Sequence, residues 1–449
     1  MQQPSLRRAL CACAVLVLSL AFALGTARAQ TALPEKTALD VAQSFRLLQT
    51  TAYDHVDAQR LLDAARTAMI QYAHEHDATI ALAQITQTGD DDAMIAALDD
   101  EIDTAATAAR GDPTDYAYAA IDGMAGAFDD RYTQFLTPQE YQEFNDALDP
   151  QRISGIGVIV EIDSATELIR LSYVLPDTPA DRAGLRPGDL IVSIDGKPTK
   201  GFTLDDARAL LRGAPGTKVT LGITSDADVA PHAVSIVRSE VQPPTVVFKM
   251  LPNRIGYIWV IEFGRKTPDE FDVAMQRLSE EGAQALILDL RNDGGGYVDS
   301  ALDISSHFLG DQPILTVEER DDHSETYDAN DEEAQVGLPT TVLVNADTAS
   351  ASEITAGALQ DDGAATLIGT KTFGKGVMQT LTPLPDGAAI KITTAHYLTP
   401  RHRDINLRGI DPDLSVVENR DARFGDPAYD AQLRAAVTYL EKKIATTTR

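Results

Sequence analysis

Hydrophobic residues recur at helical spacing over the first part of the chain. Between positions 39 and 110, alanine, leucine and acidic residues follow one another with apolar pairs such as Leu61 and Leu62. Apolar residues spaced three and four apart form one face of an amphipathic helix, so this stretch predicts a helical region. Residues 89–92 form a Gly-Asp-Asp-Asp run, and we expect them to divide the region into two lobes.

Short apolar runs separated by glycine-rich turns cover residues 152–240. A glycine-rich turn leads into a strand at 155–160, and a hairpin follows. Residues 204–211 suit a helix, and residues 217–223 suit another strand. This density of short strands predicts a β-rich module.

Strands and helices alternate after residue 246. Residues 255–260 and 285–290 are strand-like, and residues 268–281 are helical with Thr267 as the expected N-cap. Such alternation predicts an α/β core. Further strands are expected at 338–344 and 377–381, and further helices at 354–359 and 429–443.

The first residues have the pattern of a secretory signal peptide. Arg7 and Arg8 precede an apolar stretch at 9–24, and the small-x-small sequence at 27–29 suits cleavage before Gln30. We therefore expect export, to the periplasm or cell envelope. No later segment has the composition of a membrane span.

Composition excludes several classes of function. The formal net charge is −30, which repels phosphate backbones and argues against nucleic acid as a partner. Both cysteines, Cys11 and Cys13, fall inside the predicted signal peptide. The mature chain would then have no disulfide, no cysteine nucleophile and no thiolate metal site.

Ser350 is a candidate nucleophile because it falls where a predicted strand turns into a helix. Backbone N–H groups point outward at a helix start, and the Ala351 N–H is placed to stabilise an oxyanion. A structural interpretation stands beside this one. Ser350 and Glu353 have the spacing of a capping box, which satisfies the amides of a first helical turn.

Lys375 lies between Gly374 and Gly376 and is the candidate base. If the strand at 377–381 extends back to the lysine, Lys375 and Gln379 share one face. A lysine with an ordinary pKa of about 10.4 is almost fully protonated near pH 7, so a catalytic role requires burial. A solvated turn lysine is the alternative.

These residues resemble the motifs of the carboxyl-terminal processing proteases, also called tail-specific proteases. The similar segments are 349–354, 358–361 and 372–379, and the 25 residues from Ser350 to Lys375 match the family's spacing. The resemblance implies that Ser350 is the nucleophile, Lys375 the general base and Gln379 the residue that orients the lysine. It also suggests a supporting catalytic role for Asp361.

A second segment, residues 179–196, resembles the signature of a PDZ domain. Such a domain binds a peptide by strand addition and captures its terminal carboxylate on loop amides. The resemblance assigns peptide binding to Gly155, Ile156, Gly157 and Val158. Glycines that merely shape a turn are the structural alternative.

The run Asn292-Asp293-Gly294-Gly295-Gly296 resembles the family's Asn-Asn-Pro-Gly-Gly loop, with Asp and Gly in place of the second Asn and the Pro. In the family this loop supplies the second oxyanion donor, so Gly295 or Gly296 is expected to do so here. Residues 129–138 resemble the segment that precedes the peptide-binding domain. There Arg131 and Thr133 replace proline and serine, and we expect both to be structural.

The resemblance implies an α/β core of the crotonase-like spiral type, with an inserted β-rich PDZ domain and an α-helical N-terminal region. The expected substrates are polypeptides bound through their C-terminal tails, and the chemistry needs no metal or organic cofactor. The sequence leaves open whether the protein forms a homo-oligomer or binds an adaptor protein. The expected divisions are a signal peptide at 1–29, a helical region at 30–115, the N-terminal part of the core at 116–151, the PDZ domain at 152–240, the catalytic core at 241–420, and a C-terminal helix and tail at 421–449.

Three other interpretations of these residues compete with a processing protease. Residues 369–376 almost fit a phosphate-binding loop, but Gly376 lacks the required hydroxyl and a strand is predicted to follow. A serine-histidine-aspartate hydrolase would need a histidine near Ser350, and no short motif surrounds the candidates. A catalytically inactive PDZ-bearing envelope scaffold is the third alternative, although the joint retention of serine, lysine and glutamine favours an enzyme. The candidate histidines are His307, His323, His396 and His402.

Overall fold

The computed structural model describes residues 32–148, 153–163, 165–225, 230–330, 337–418 and 426–447. The predicted signal peptide, both cysteines and the division expected at residue 420 lie outside these ranges. Among the described helices, none combines the length and the apolar character needed to cross a bilayer.

Helices form the N-terminal region and enclose one hydrophobic core that includes Phe45 and Leu98. Three of them begin at an aspartate whose carboxylate accepts backbone N–H groups of the first turn, namely Asp57, Asp90 and Asp112. The helices are α1 (Glu35–Thr50), α2 (Ala58–Glu75), α3 (Asp91–Ala109) and α4 (Pro113–Ala125).

Two details of the predicted N-terminal region were wrong. The helical region is interrupted near residue 90, as expected. It is also interrupted before α2, because Asp57 is the N-cap of that helix. The division expected at 115/116 falls inside α4. Since Tyr116 and Ile121 of α4 are buried in the same core as α1–α3, the helical region continues to the end of α4.

The predicted PDZ module contains a five-stranded antiparallel path in the order β3-β4-β5-β7-β8, with β6 pairing β5 and a separate β2–β9 pair. A capping box between Thr203 and Asp206 begins its longer helix. After the short β1 (Gln134–Leu136) and α5 (Pro138–Leu148), its elements are β2 (Ile153–Gly155), β3 (Val158–Ile162), β4 (Ile169–Val174), α6 (Pro179–Arg182), β5 (Leu190–Ile194), β6 (Lys197–Pro198), α7 (Leu204–Leu211), β7 (Lys218–Thr224), β8 (His232–Val237) and β9 (Ser239–Val241).

The remaining residues form the α/β core that the alternation predicted. One correction concerns Thr267, which is the first residue of its helix and not the N-cap; its hydroxyl donates to Glu262 O at 3.0 Å. The elements are β10 (Val246–Leu251), β11 (Ile255–Val260), α8 (Thr267–Glu280), β12 (Ala285–Asp289), α9 (Val298–Leu309), β13 (Pro313–Glu319), β14 (Ser324–Asp328), β15 (Thr340–Val344), α10 (Ala351–Asp362), β16 (Ala365–Gly369), β17 (Val377–Pro383), β18 (Ala389–Leu398), β19 (Leu414–Ser415) and α11 (Ala431–Thr447).

Two sheets build this core. The first has the order β10-β11-β12-β15-β16-β19 and is parallel except at the β10–β11 edge. Helices α8, α9 and α10 pack on one face, and α11 covers the other through Leu433 and Leu440. Burial on both faces explains why β12 and β15 are buried along their whole length.

The second sheet has the order β1-β18-β13-β14, and β17 also pairs with β18. Its strand β1 comes from the segment before the PDZ module, so the chain leaves the core and returns to it. Leu384, Ile390 and Ile392 from the β17–β18 hairpin are buried in the core of the N-terminal helices. This hairpin therefore joins the helical region to the α/β core.

Arg291 lies two residues after the end of β12 and is almost fully buried. Its guanidinium donates to both carboxylate oxygens of Asp289, at 2.9 and 2.6 Å, and to Asp430 at 3.1 and 2.7 Å. Gln432 accepts another N–H at 3.0 Å. A buried guanidinium is tolerated because carboxylates surround it, and the network joins the end of β12 to the start of α11.

Candidate active site

Ser350 lies on the turn between β15 and α10, as predicted. Its backbone has φ 58° and ψ −119°, a conformation that costs a non-glycine residue about 1 to 3 kcal/mol. Ala351 is the buried first residue of α10, so its N–H is one of the first-turn amides that have no acceptor within the helix. The turn presents the serine at the carboxyl edge of the parallel sheet.

The Glu353 carboxylate connects this turn to the lysine loop. One half of the predicted capping box is formed, because Glu353 Oε2 accepts the Ser350 N–H at 3.1 Å, whereas the Glu353 N–H donates to the Ser350 carbonyl oxygen at 2.8 Å. Glu353 Oε2 also accepts the Lys375 N–H at 2.8 Å. Glu353 Oε1 accepts the Gly374 N–H at 2.8 Å and the Thr372 hydroxyl. The predicted capping box is therefore part of a larger arrangement that fixes the serine turn beside the lysine loop.

Tyr397 makes a second connection between the two segments. Its side chain is buried, and its hydroxyl lies 3.2 Å from Ser350 O and 2.5 Å from Lys375 O. Burial raises the pKa of the Tyr397 phenol well above its ordinary value, so the O–H remains a donor at neutral pH. Two buried side chains thus hold the backbones of Ser350 and Lys375 in fixed proximity.

Lys375 is partly buried. Burial lowers the pKa of its ammonium, and the charge of Lys391 lowers it further, whereas Asp130 and Glu353 raise it. The nitrogen also lies 4.9 Å from the centre of the Tyr132 ring, a contact that favours the charged form. Because burial is the largest effect, the net change favours the neutral amine that a general base requires.

The expected common face of Lys375 and Gln379 is not supported by the backbone. Strand β17 begins only at Val377, and a bulge lies between Met378 and Gln379, which interrupts the alternation of side chains. The side-chain nitrogen of Gln379 lies 3.5 Å from the Thr393 hydroxyl. The described contact of Gln379 is thus with the neighbouring strand β18 and not with Lys375.

Asp361 lies at the opposite end of α10 from Ser350. Asp361 follows Ser350 by 11 residues, which corresponds to roughly 16 Å along a helix axis. Its carboxylate pairs with Arg403 at 2.5 Å and accepts the Arg401 N–H at 3.0 Å. These contacts argue against the supporting catalytic role and indicate that Asp361 anchors the loop after β18.

The glycine loop docks against the serine turn. A side chain at Gly295 would lie 2.7 Å from Ala351 N and 2.8 Å from Ser350 Cβ, so only glycine fits. The carbonyl of Asp293 accepts the Ala349 N–H at 3.0 Å and the Ser352 hydroxyl at 3.1 Å. The glycines therefore permit close backbone contact between the loop and the serine turn.

The amides of this region differ in availability. The Gly295 N–H donates to Asp293 Oδ1 at 2.8 Å, so it is occupied. Within the described part of the chain, the N–H groups of Ala351 and Gly296 have no protein acceptor. Since Gly296 follows directly on Gly295, both available donors lie close to Ser350.

Asp293 is itself unusual, because its carboxyl group is fully buried in the glycine loop. Burial raises its pKa well above the ordinary value, and the Gly295 N–H opposes that shift. Among the described residues, nothing forms a hydrogen bond with Asp293 Oδ2. A neutral carboxyl group is thus favoured where the family has asparagine.

The segment at 129–133 reaches the same region. Asp130 accepts the Thr133 hydroxyl at 2.7 Å, and that hydroxyl accepts the Thr393 N–H at 3.1 Å. The Arg131 guanidinium lies 5.1 Å from the Tyr132 ring and 5.4 Å from the ring of Phe373. Thr133 therefore has the structural role that was expected, while Arg131 stands exposed beside the lysine loop.

The contacts do not favour the rival enzyme classes. Strand β17, not a helix, follows the glycine-lysine segment, so no helix start is available for a phosphate. His396 stacks on Tyr53 with ring centres 4.3 Å apart, and His307 pairs with Asp272 at 2.8 Å. Across the described ranges, no group of three or more His, Cys, Asp or Glu side chains is arranged to hold a metal ion.

The predicted peptide-binding loop borders a groove between β3 and α7. The carbonyl of Ile156 accepts the Ala180 N–H at 2.8 Å, and that of Gly157 accepts the Leu175 N–H at 3.0 Å. In the described residues, the N–H groups of Ile156 and Gly157 have no such partner. The groove has a volume of about 210 Å³, and its walls include all four predicted residues, Gly155, Ile156, Gly157 and Val158.

Sequence reasoning missed the wider roles of Glu353 and Tyr397. Glu353 was considered only as a capping residue, and its spacing to Ser350 gave no sign of the bonds to Gly374 and Lys375. Tyr397 carries no local motif, because its role depends on where β18 lies in the sheet. The substitution of Asp for the family's Asn at position 293 was visible, but its burial was not.

Comparison with known proteins agrees with this geometry. The model of peptidase family S41 matches residues 254–416, and a PDZ domain model matches residues 170–224. A carboxyl-terminal-processing protease from Synechocystis sp. is 39% identical over 335 residues, which cover 73% of this chain and 78% of that protein. The carboxy-terminal processing protease CtpA from Bacillus subtilis is 36% identical over 298 residues, which cover 66% of this chain and 63% of that protein.

A solved structure of an S41-type protein from Bacteroides fragilis has a similar fold, with a TM-score of 0.54 at 20% identity; the match covers 70% of this chain and 87% of that one. Together the fold and the matches define a serine-type peptidase that carries a PDZ domain. The chain belongs to peptidase family S41 and is a C-terminal processing peptidase.

Replacing Glu353 by alanine should damage both stability and activity. Four donors lose their acceptor, and each buried donor left unsatisfied costs about 1 to 3 kcal/mol. We expect a loss of at least about 3 kcal/mol in unfolding free energy by denaturant titration. Cleavage of unfolded casein should fall about 100-fold or more, because the serine and lysine segments are no longer aligned. Glu281→Ala, at an exposed glutamate, is the control, and equal behaviour of the two variants would contradict the assigned role.

Asp293→Asn should increase stability at neutral and alkaline pH. A carboxyl group with a raised pKa in the folded state contributes stability that is full below its unfolded pKa and is lost as pH rises through its folded pKa. Asparagine keeps the acceptor for the Gly295 N–H and does not titrate. Unfolding free energies measured from pH 4 to 9 should therefore decline less steeply for the variant; parallel curves would refute the burial effect.

Proposed function

We propose that the protein is an exported serine endopeptidase in which Ser350 and Lys375 form the catalytic pair and the PDZ domain selects substrates by their C-terminal tails. The observation that carries the proposal is the shared carboxylate of Glu353, whose one oxygen accepts the backbone N–H groups of both residues. This arrangement keeps nucleophile and base adjacent without using either side chain as a tether.

In the proposed reaction, neutral Lys375 takes the proton of the Ser350 hydroxyl as the serine oxygen attacks a peptide carbonyl. The N–H groups of Ala351 and Gly296 donate to the oxyanion that forms; a donor of this kind contributes about 3 to 4 kcal/mol in measured cases. The lysine then passes the proton to the leaving amine. Lys375, which is neutral again, then takes a proton from a water molecule, and this water hydrolyses the acyl-enzyme.

The finer assignments rest on the family resemblance and on the contacts described above. Gln379 is the proposed orienting residue for Lys375, although its described partner is Thr393. Gly295 serves in this scheme to admit close packing, with Gly296 as the second oxyanion donor. The α/β core is proposed to be of the crotonase-like spiral type. Export to the periplasm or cell envelope rests on the sequence of residues 1–29.

An inactive scaffold is a weaker alternative. Loss of catalysis removes selection on the environment of the lysine, whereas here that environment lowers the pKa of Lys375. The glycine loop also keeps the close contact with Ser350 that an oxyanion site needs. Both features support an active enzyme.

The catalytic pair can be tested by cleavage of an unfolded protein such as casein. Ser350→Ala and Lys375→Ala should each lower kcat/KM by at least about 10³-fold, since each removes a group that acts in bond breaking. His396→Ala should retain most activity because its ring stacks on Tyr53. Strong loss in His396→Ala together with an active Lys375→Ala would favour a serine-histidine mechanism. Melting temperatures of all three proteins control for misfolding.

Replacing Lys391 by methionine should shift the pH profile. The positive charge of Lys391 lowers the pKa of Lys375, so its removal raises that pKa. Less neutral amine is then present at a given pH, and the rising limb of kcat/KM should move to higher pH. Lys200→Met, at an exposed PDZ residue, should leave the profile unchanged. A shift to lower pH would contradict the role of Lys375 as the base.

A further inference from the structure

The PDZ groove combines apolar walls with charge of a single sign. Its lining includes Ile156, Val158, Val160 and Leu211, which suit an apolar side chain, while its charged residues are two arginines of the α7 end, Arg208 and Arg212. No acidic residue lines it in the described part of the chain. In a protein of net charge −30, such a groove is a local exception.

The direction of a bound tail follows from the loop at 155–157. The Gly213 N–H donates to Ser154 O at 3.3 Å, and Leu211 O faces Gly155, so the end of α7 lies against the start of this loop. A terminal carboxylate held by the loop amides is therefore next to Arg212. The last carbonyl groups of α7 accept hydrogen bonds from the buried Arg238 guanidinium, at 3.0 Å for Leu211 O and 2.7 Å for Leu210 O, and the exposed Arg212 side chain adds a second positive charge beside the carboxylate.

The spacing of the two arginines along α7 indicates which residue of a bound tail Arg208 faces. Arg208 precedes Arg212 by one helical turn, which is about 6 Å along the axis. An extended peptide advances about 3.3 Å per residue, so the same distance corresponds to two residues. Side chains two apart in a strand point to the same face, here toward α7. Arg208 therefore faces the side chain two positions before the end of the tail.

Arg208 also contacts Asp205 at 3.0 Å, but both side chains are largely exposed. Exposed ion pairs contribute little to stability, so the guanidinium can turn to a ligand at small cost. Arg212 forms no ion pair within the described residues. Both cations are thus available to a bound tail.

We infer that the groove selects C-terminal tails with an apolar last residue and an aspartate or glutamate two positions before it. The inference rests on the proposed function, since it specifies the tails that the PDZ domain takes. Arg212 pairs with the terminal carboxylate of any tail. Arg208 distinguishes among tails by the charge of the third residue from the end.

The test is fluorescence anisotropy on the full chain carrying Ser350→Ala, which prevents cleavage. The probes are fluorescein-labelled decapeptides of one sequence ending in Glu-Ala-Val, Gln-Ala-Val or Lys-Ala-Val, and the Glu-Ala-Val peptide with an amidated end. The Glu tail should bind about tenfold more tightly than the Lys tail, a difference of about 1.4 kcal/mol. The preference should shrink as salt is raised.

Additional substitutions separate the two arginines. Arg208→Gln should remove the advantage of Glu over Gln, whereas Arg212→Gln should weaken all free-carboxylate tails to a similar degree. Arg186→Gln, at an exposed arginine of the same domain outside the groove, is the matched control. It should change neither the preference for Glu over Gln nor the affinity for free-carboxylate tails.

The outcomes distinguish the inferred charge selection from the proposed recognition of C-terminal tails on which it rests. Equal binding of Glu, Gln and Lys tails, with rejection of the amide, would overturn the charge selection and leave tail recognition in place. Binding of the amide as tight as that of the acid, or no binding of any peptide, would overturn tail recognition as well. A Glu preference that survives Arg208→Gln would also refute the assignment.

Discussion

Four donors converge on one buried carboxylate, that of Glu353, and the active centre depends on this convergence. A hydroxyl and three backbone N–H groups donate hydrogen bonds to the carboxylate, and these bonds offset the free-energy cost of removing it from water. In return the carboxylate fixes a strained turn and a glycine-rich loop that come from separate strands. Tyr397 repeats the connection through the carbonyl groups of the same two residues. The positions of Ser350 and Lys375 are thus set through their main-chain groups and do not require their own side chains.

Local patterns predicted much of this structure. The apolar run of β12, the alternation of strands and helices, and the turn before α10 follow from periodicity and from glycine placement. The motifs around Ser350 and Lys375 were sufficient to propose a reaction. What could not be predicted arises from contacts between distant segments. The burial of Asp293, the bulge before Gln379 and the pairing of Asp361 with Arg403 depend on how sheets and loops meet, which spacing along the chain does not encode.

The electrostatics of the protein divide into a general and a local part. The strongly acidic composition acts at the whole surface, where it favours solubility and repels polyanions. Cations are instead retained at the places where substrate is expected to lie, namely Lys375 with Lys391 and Arg131 around the lysine loop, and two arginines beside the PDZ loop. A polypeptide would therefore meet a surface whose charge changes sign as it enters each site.

The Arg291 network connects helix α11 to the chain segment that leads into the glycine loop. The glycine loop begins one residue after Arg291, and the guanidinium is held from the other side by Asp430 and Gln432. Helix α11 is therefore more than a cover for the sheet. A change in α11 would therefore be transmitted to the glycine loop without direct contact between the two, because the guanidinium that precedes the loop is bound on both sides.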